Sequence, residues 1–439
     1  MFKETSKELL DFLSKSPTAF HAVENYRQIL NADGFKELLE SEHWDIVPGG
    51  KYYVTRNNTS ILAFKVGTKL DNYSFNIVTS HTDSPTFKLK ENAEIEVKNK
   101  YTQLNTEGYG GMLCATWLDR PLSIAGRVLV SEGNSIVTKL LNIDRDLLMI
   151  PNVAIHMNRA ANDGFKYNLQ VDMLPLLSAG DDRQKDFKQI LADELGVKKE
   201  DILGHDLYLY NRMAPSIWGA NEEFISAGHL DDLQCGFASL KALLAGYNDE
   251  SIDIMACFDN EEVGSGTKQG ADSTLLRDTL TRINSALGKT EEDYYRALAS
   301  SFMLSSDNAH AVHPNHPEHT DATNCTYMNE GVVVKSHAGQ KYTSDGVSMA
   351  VVKALASGAD VPLQYFANRS DKAGGSTLGN IAMAQASMNA VDIGLPQLAM
   401  HSSYETAGIK DTYYAISLMK ALFDSHIQET STHSLEIKR

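Results

Sequence analysis

The chain has 439 residues, of which 42% are hydrophobic and 22% are charged, and its formal net charge at pH 7 is −17. This composition is typical of a soluble globular protein, and the length predicts two domains. The acidic balance argues against nucleic acid and anionic membranes as partners, because both bind basic surfaces, and no apolar run is long enough to span a bilayer.

The N-terminal residues predict two helices. The first segment places acids among leucine and phenylalanine and lacks a cleavage-like site of small residues, so it predicts an amphipathic helix and not a signal peptide. Ser16 and Pro17 are the predicted N-cap and first-turn pair of a second helix. Because the four cysteines are scattered without a CxxC pair, we expect a reducing, cytoplasmic location and no disulfide framework.

Beyond these helices, short apolar runs alternate with amphipathic segments, which is typical of an α/β protein. Strands are predicted at 61–66, 75–78, 252–258, 301–304, 331–335 and 362–367, and helices at 234–247, 344–356, 376–388 and 411–423. The residues from about 92 to 223 contain alternating or β-branched runs instead, including 124–130 and 136–143, with few helices before 186–195. We therefore expect a β-rich insertion between two halves of one α/β domain.

Short motifs with acids and histidines follow the predicted strands, where open α/β sheets bind ligands. His81 could bind a metal while the Asp83 carboxylate accepts its other ring N–H or supports the site, although such a pair alone is more often structural. Asp231 and Asp232 precede a helix, where adjacent acids are usually caps. The functional alternative is that Asp231 bridges two cations.

A third motif places Asp259, Glu261 and Glu262 directly after a strand that is expected to be buried. One glutamate could ligate a metal while its neighbour acts as general base, and a solvated acidic turn is the alternative. Asp307, which follows another strand, is a further ligand candidate.

Several histidines follow Asp307, and two prolines separate them. The prolines prevent an α-helix that would align the imidazoles, so we interpret most of these residues as pocket or surface histidines: His310, His313, His316 and His319. His401, in a later motif, is by itself more often an ordinary histidine than a ligand.

Taken together, two histidines and three acids suit two borderline cations: His81, His401, Asp231, Glu262 and Asp307. Two divalent ions bound by three carboxylates keep one positive charge, which can hold a hydroxide and polarise a carbonyl. This set indicates hydrolysis of an amide without a protein nucleophile.

The motifs SHTDSP, LDDL, DNEEVGS, SSDNAHAVHPN and LPQLAMHSSYET resemble, in order and spacing, the aspartyl aminopeptidase family of dinuclear metallopeptidases. SPTAFHAV, WLDRPLSIAGRV, IPNVAIHMNR and GGSTLG are similar as well, so the resemblance covers essentially the whole chain. It implies an α/β fold in which a three-layer, mixed-sheet catalytic domain of the zinc-peptidase type comprises residues 1–92 and 225–439. Residues 93–224 would form an inserted β-rich dimerisation domain.

The resemblance also implies roles for the motif residues. His81, Asp231 and Asp307 would hold one metal ion. Asp231 would bridge to a second ion held with Glu262 and His401. The ions would be zinc, with cobalt or manganese as alternatives.

Further roles follow from the same resemblance. Glu261 would be the general base and Asp83 a supporting partner, and the Asp231–Asp232 peptide bond would be cis. His229 departs from the arginine expected at its position.

Preference for an N-terminal Asp or Glu is the substrate specificity that the resemblance implies. Candidate substrate-binding residues are Lys335, His310, His313, Tyr342 and, from a neighbouring subunit, His156. Dimers would assemble into a dodecamer.

Three alternatives stay open. The first is an aminopeptidase of broad or neutral specificity. The second is a deacylase of the same dinuclear fold, and the third is an inactive assembly or scaffold protein.

Overall fold

The computed structural model describes residues 1–180 and 186–439. Its α-helices are α1 (Phe2–Ser14), α2 (Ala19–Ala32), α3 (Phe187–Leu195), α4 (Leu230–Ala245), α5 (Leu275–Ala286), α6 (Glu291–Ala299), α7 (Gly346–Ala359), α8 (Leu378–Gln385) and α9 (Asp411–Phe423). Short 3₁₀ turns occur at Cys114–Trp117, Lys199–Asp201, Glu261–Val263 and Pro317–His319. Among the described residues, no helix has both the length and the apolar character required to cross a membrane.

The described strands form four sheets. The largest contains β1 (Lys36–Glu37), β2 (Lys51–Arg56), β3 (Ser60–Val66), β4 (Ser74–His81), β13 (Ser251–Phe258), β14 (Phe302–Ser306), β16 (Val332–Lys335), β17 (Leu363–Phe366) and β18 (Asn389–Gly394). Its order is β1-β2-β3-β13-β4-β14-β18-β16-β17. The four central strands, β13, β4, β14 and β18, are parallel to one another, so their carboxyl ends share one edge.

A second sheet has the order β8-β7-β10-β5-β6-β9. Its strands are β5 (Thr86–Val97), β6 (Tyr101–Tyr109), β7 (Leu122–Glu132), β8 (Ser135–Asn142), β9 (Leu176–Ala179) and β10 (Ile202–Asn211). A third sheet, β11-β12-β20-β19-β15, joins β11 (Ser216–Trp218), β12 (Phe224–Ala227), β20 (Glu405–Gly408), β19 (Pro396–Leu398) and β15 (Ala309–His310). A terminal hairpin pairs β21 (His426–Ser431) with β22 (Ser434–Lys438).

Helices cover both faces of the large sheet because its central strands are apolar on both sides. In β4, Val78 packs into a core with α1, α2, α4, α7 and α9, whereas its neighbour Ile77 packs into a second core with α5, α6 and α8. Alternate side chains of a strand point to opposite faces, and the continuous apolar run therefore requires cover on both. The result is the expected three-layer α/β arrangement.

The second sheet has its own hydrophobic core, in which Phe87, Trp117, Ile124 and Leu207 pack with Leu191 of α3. All its strands lie between Thr86 and Asn211, whereas β11 pairs with β12, and β12 pairs with β20 of the third sheet. The segment expected to be β-rich is therefore rich in strands. Its division from the rest of the chain at 92/93 and 224/225 stays a prediction.

One predicted helix start is wrong. Helix α2 begins at Ala19 after Thr18, and not at Ser16 and Pro17. The Ser16 hydroxyl instead donates to the Phe12 carbonyl at 2.8 Å and so belongs to the end of α1. A serine near a helix end can satisfy a free carbonyl as readily as it caps a following helix.

Candidate active site

Five side chains from distant parts of the sequence meet at the carboxyl edge of the large sheet. His81 ends β4, Glu262 lies in the 3₁₀ turn after β13, and Asp307 follows β14. Asp231 enters from the start of α4, and His401 lies in the loop before β20. Because β13, β4 and β14 are adjacent and parallel, the residues that follow them are neighbours in space.

Asp231 lies between the two histidines. His81 Nε2 is 3.4 Å from Asp231 Oδ1 and 4.0 Å from Asp307 Oδ1. His401 Nε2 is 3.5 Å from Asp231 Oδ2 and 3.3 Å from Glu262 Oε1. Two ligands of one tetrahedral zinc ion are about 3.3 Å apart when each bond is about 2.0 Å. The separations are therefore those of two ligand groups that share Asp231, and in each group the ligand atoms lie within 4.8 Å of one another.

Both imidazoles are oriented for ligation. His81 Nδ1 is 3.0 Å from the Asp83 carbonyl oxygen, and His401 Nδ1 is 2.8 Å from the Gly111 carbonyl oxygen. Because a carbonyl can only accept a hydrogen bond, each Nδ1 is assigned the proton, and each Nε2 faces Asp231 as the ring atom available to an ion between them. Such partners are typical of histidines that bind metals.

Two buried carboxylate oxygens also indicate that cations bind here. Within the described residues, the buried atoms Asp231 Oδ1 and Glu262 Oε1 have no hydrogen-bond donor. A buried carboxylate oxygen without a partner is costly, and a bound cation would satisfy it. The donor set of imidazoles and carboxylates also suits zinc.

The electrostatics of the site agree with this interpretation. Burial and the charge of Asp231 raise the pKa of Glu262 well above its usual range, and burial raises the pKa of Asp307. Burial opposes the charged form of Asp231, but His401 and His81 hold its pKa below the usual range. Crowded buried carboxylates cannot all ionise without nearby positive charge, and divalent ions would supply that charge.

Of the two roles predicted for the Asp83 carboxylate, its closest contacts match support of the site. This carboxylate lies 3.5 Å from His81 Nδ1, farther than the Asp83 carbonyl. Asp83 Oδ1 accepts the Glu261 backbone N–H at 3.1 Å, and Oδ2 accepts the Glu262 N–H at 3.2 Å. The carboxylate therefore holds the turn that presents both glutamates.

Residues that the sequence did not single out complete this support. The Tyr109 hydroxyl, at the end of β6, donates to Asp83 Oδ2 at 2.7 Å. The buried Glu405 accepts the backbone N–H groups of His401 at 2.8 Å and of Asp231 at 3.0 Å. Glu405 lies inside the quoted motif HSSYET, but nothing local distinguishes it from a surface acid. The Asp231–Asp232 peptide bond is cis, as expected.

The predicted substrate-binding residues occupy three places. Lys335, at the end of β16, is buried and lies 3.9 Å from Asp307 Oδ2, with its Nζ 5.7 Å from the ring centroid of Tyr342. His310 and His313 line a recess of about 260 Å³ beside the loop that holds His401. His156 is exposed in the loop between β8 and β9.

Comparison with known proteins decides the family. The family described as aminopeptidase I zinc metalloprotease (M18) matches residues 12–423. The chain belongs to this family. Among its relatives, a probable M18 family aminopeptidase 2 of Clostridium novyi (strain NT) is 48% identical over 425 residues, which are 95% of this chain and 98% of the relative. A protein of the same name from Stutzerimonas stutzeri (strain A1501) is 39% identical over 431 residues, which are 97% of this chain and 99% of that protein.

Solved structures of similar proteins share the fold. The chain in a cryo-EM structure of the Ape4 and Nbr1 complex has a TM-score of 0.93 and 35% identity, with 96% of this chain and 86% of that chain covered. A structure of the S. cerevisiae mApe1 dodecamer has a TM-score of 0.84 and 28% identity, with 96% of this chain and 97% of that chain covered. Membership of the M18 family confirms the predicted family and fold class. It makes the protein a metallo-aminopeptidase and argues against an inactive scaffold.

Proposed function

We propose that this M18 aminopeptidase hydrolyses N-terminal residues from peptides with two bound divalent ions, and that it prefers an N-terminal Asp or Glu. The supporting observation is the pair of ligand groups that share Asp231. His81, Asp231 and Asp307 would hold one ion, and Asp231, Glu262 and His401 the other. When bound, such ions lower the pKa of water and polarise a carbonyl.

Glu261 is the proposed general base. It lies in the turn after β13, and its backbone N–H is bound by Asp83. Its carboxylate is within 4.8 Å of ligand atoms of His81 and Glu262, but it belongs to neither of the two groups that share Asp231. In this position its carboxylate takes the proton from the attacking water and transfers it to the leaving amine. Proton transfer of this kind contributes roughly 10²–10⁴-fold to a rate.

The experiment that tests this role is Glu261→Gln. We expect kcat to fall by roughly 10²–10⁴-fold while zinc content, measured by elemental analysis, stays that of the wild type. Glu292→Gln, at an exposed position on α6, is the matched control and should be fully active. Normal turnover in Glu261→Gln would remove the general-base assignment, and loss of zinc would make Glu261 a ligand instead.

The acidic preference is supported by Lys335. Its buried Nζ donates to the Asn308 carbonyl at 2.8 Å, beside the proposed ligand Asp307. Burial disfavours the cation, but Asp307 and Tyr342 raise the pKa of Lys335, so it stays charged. A buried cation beside the site of hydrolysis would attract a substrate carboxylate.

Lys335→Ala separates this specificity from the neutral alternative. We expect the ratio of kcat/KM for Glu-terminated over Leu-terminated peptides to fall at least about tenfold, the effect of losing one charged hydrogen bond. The exposed Lys7→Ala is the control, and zinc content should be unchanged in both variants. If the ratio does not change, a broad or neutral aminopeptidase becomes the better interpretation.

We also propose that residues 93–224 mediate dimerisation and that dimers form a dodecamer. Two observations support this: the similar S. cerevisiae structure is described as a dodecamer, and the loop around His156 exposes Val153, Ile155 and Met157, with Met157 84% exposed. Large apolar side chains clustered on a surface often mark an interface. His156 would then act in the neighbouring subunit's active site.

Co-expression of two inactive variants tests this arrangement. His156→Ala and Glu261→Gln subunits should each have little activity alone. Mixed oligomers should recover part of the wild-type activity, because some sites combine an intact Glu261 with an intact His156 from the neighbour. No recovery in oligomers shown by mass to be mixed would exclude a shared site.

A further inference from the structure

Outside the active site, three histidines are stacked in the segment His313–Thr320, which we call the histidine turn. The ring centroids of His313 and His316 are 5.4 Å apart, and those of His316 and His319 are also 5.4 Å apart. This segment contains a 3₁₀ turn and no α-helix, as the prolines predict, but the three rings nevertheless lie in a row.

The alignment results from a repeat of three residues. His-Pro-Asn is followed by His-Pro-Glu and then by His319. In each repeat, the backbone N–H of a histidine donates to the carbonyl of the histidine three residues earlier. The His316 N–H donates to the His313 carbonyl at 3.0 Å, and the His319 N–H donates to the His316 carbonyl at 3.2 Å. Side chains three residues apart eclipse one another in such turns. Proline excludes the α-helix here but permits this tighter geometry.

Glu318 completes a group of possible metal ligands. Its Oε1 is 3.1 Å from His316 Nδ1 and 3.9 Å from His319 Nε2. Ligand atoms from the three residues lie within 4.8 Å of one another. Among the described residues, the ion pairs of the Glu318 carboxylate are with these two histidines, whereas the nearby Arg369 forms its ion pair with Asp371.

The backbone of the turn is held in place while its side chains are free to close on an ion. Arg369 donates to the Glu318 carbonyl, and the Thr320 hydroxyl donates to the Pro317 carbonyl at 2.8 Å. The ligand side chains themselves are 58–61% exposed. A closure of about 1.5 Å brings such atoms to the separations of a zinc site, in which ligands are about 3.3 Å apart.

We propose that His316, Glu318 and His319 form a further transition-metal site on the surface, separate from the active site. Two imidazoles and one carboxylate suit zinc, nickel or copper ions, with water in the remaining positions. None of the three residues belongs to the ligand groups around Asp231. His319 also lines the recess that contains His310 and Met400, so the ion would lie beside the loop that holds His401.

Zinc binding to the full-length protein tests the proposal. After equilibrium dialysis at one free zinc concentration, the wild type should hold one more zinc ion per chain than H316A/H319A. The control H43A/H433A removes two exposed histidines elsewhere and should match the wild type. Because the comparison is a difference between variants, it does not depend on how many ions the active site holds.

A second measurement is local to the turn and requires no variant. Diethyl pyrocarbonate modification, mapped by mass spectrometry, should be suppressed by zinc at His316 and His319 but not at His43 and His433. Equal zinc content in the wild type and H316A/H319A, or unprotected histidines in the turn, would show that the cluster is only a surface hydrogen bond between His316 and Glu318.

Discussion

The contact between Tyr109 and Asp83 connects the second sheet to the chemistry, and we expect its loss to slow catalysis. Tyr109 is the last residue of β6, and its hydroxyl donates to Asp83 Oδ2 at 2.7 Å while accepting from Asn260 Nδ2 at 2.8 Å. Burial and the Asp83 charge raise the pKa of Tyr109 far above its usual range, so the hydroxyl remains a donor at neutral pH. Tyr109→Phe removes this donor and keeps the ring.

The expected magnitude follows from the strength of the bond. A hydrogen bond to a charged group contributes about 1.5–3 kcal/mol, which corresponds to roughly 10–150-fold. Asp83 would keep its bonds to the Glu261 and Glu262 backbone, but it would be less well oriented. We expect kcat/KM to fall by roughly 10–100-fold, the range seen when a residue behind a metal ligand is removed.

Steady-state kinetics on a Glu-terminated peptide, together with zinc affinity measured by competition with a chelator, would test this. Tyr208→Phe is the matched control, because its ring lies 5.7 Å from that of Tyr109 in the same sheet, and it should behave as the wild type. Wild-type kinetics and zinc affinity in Tyr109→Phe would refute the reasoning. A large fall in the melting temperature would show a structural role instead.

Three further predictions concern stability. Chelation of divalent ions should lower the melting temperature and added zinc should restore it, because ions that bind the folded chain stabilise it; an unchanged melting temperature would contradict this. Burial lowers the pKa of His21 from 6.5 to about 4, so its neutral form favours folding above pH 6.5. This contribution to the free energy of unfolding, roughly 3 kcal/mol at most, is lost as the pH falls from 6.5 to 4. Urea unfolding at pH 7 and pH 5 should therefore show a smaller loss of stability for His21→Gln than for the wild type. Leu240→Ala, in a fully buried position of α4, should cost about 2–5 kcal/mol, whereas Leu203→Ala, 53% exposed, should leave the unfolding midpoint nearly unchanged.

The sequence alone was sufficient to predict several strands of the large sheet and the site residues that follow three of them, although it did not predict the central strand β18. Apolar runs such as those of β4 and β13 are visible in the sequence, and α9 has the predicted bounds. Because parallel strands end at one edge of a sheet, His81, Glu262 and Asp307 were expected to be neighbours. These predictions succeed because they depend on local periodicity and on one general rule of α/β topology.

The tertiary structure alone decided which residues support those side chains. Tyr109 and Gly111 come from the β6 end of another sheet, and Glu405 contacts both the start of α4 and the loop that holds His401. No local pattern distinguishes such residues, because their partners are set by how the sheets pack. The sequence identifies the histidines of the histidine turn but does not predict their alignment, for a different reason. Proline excludes the α-helix, but whether the residues then close into successive three-residue turns depends on bonds such as that from Arg369, which is distant in sequence.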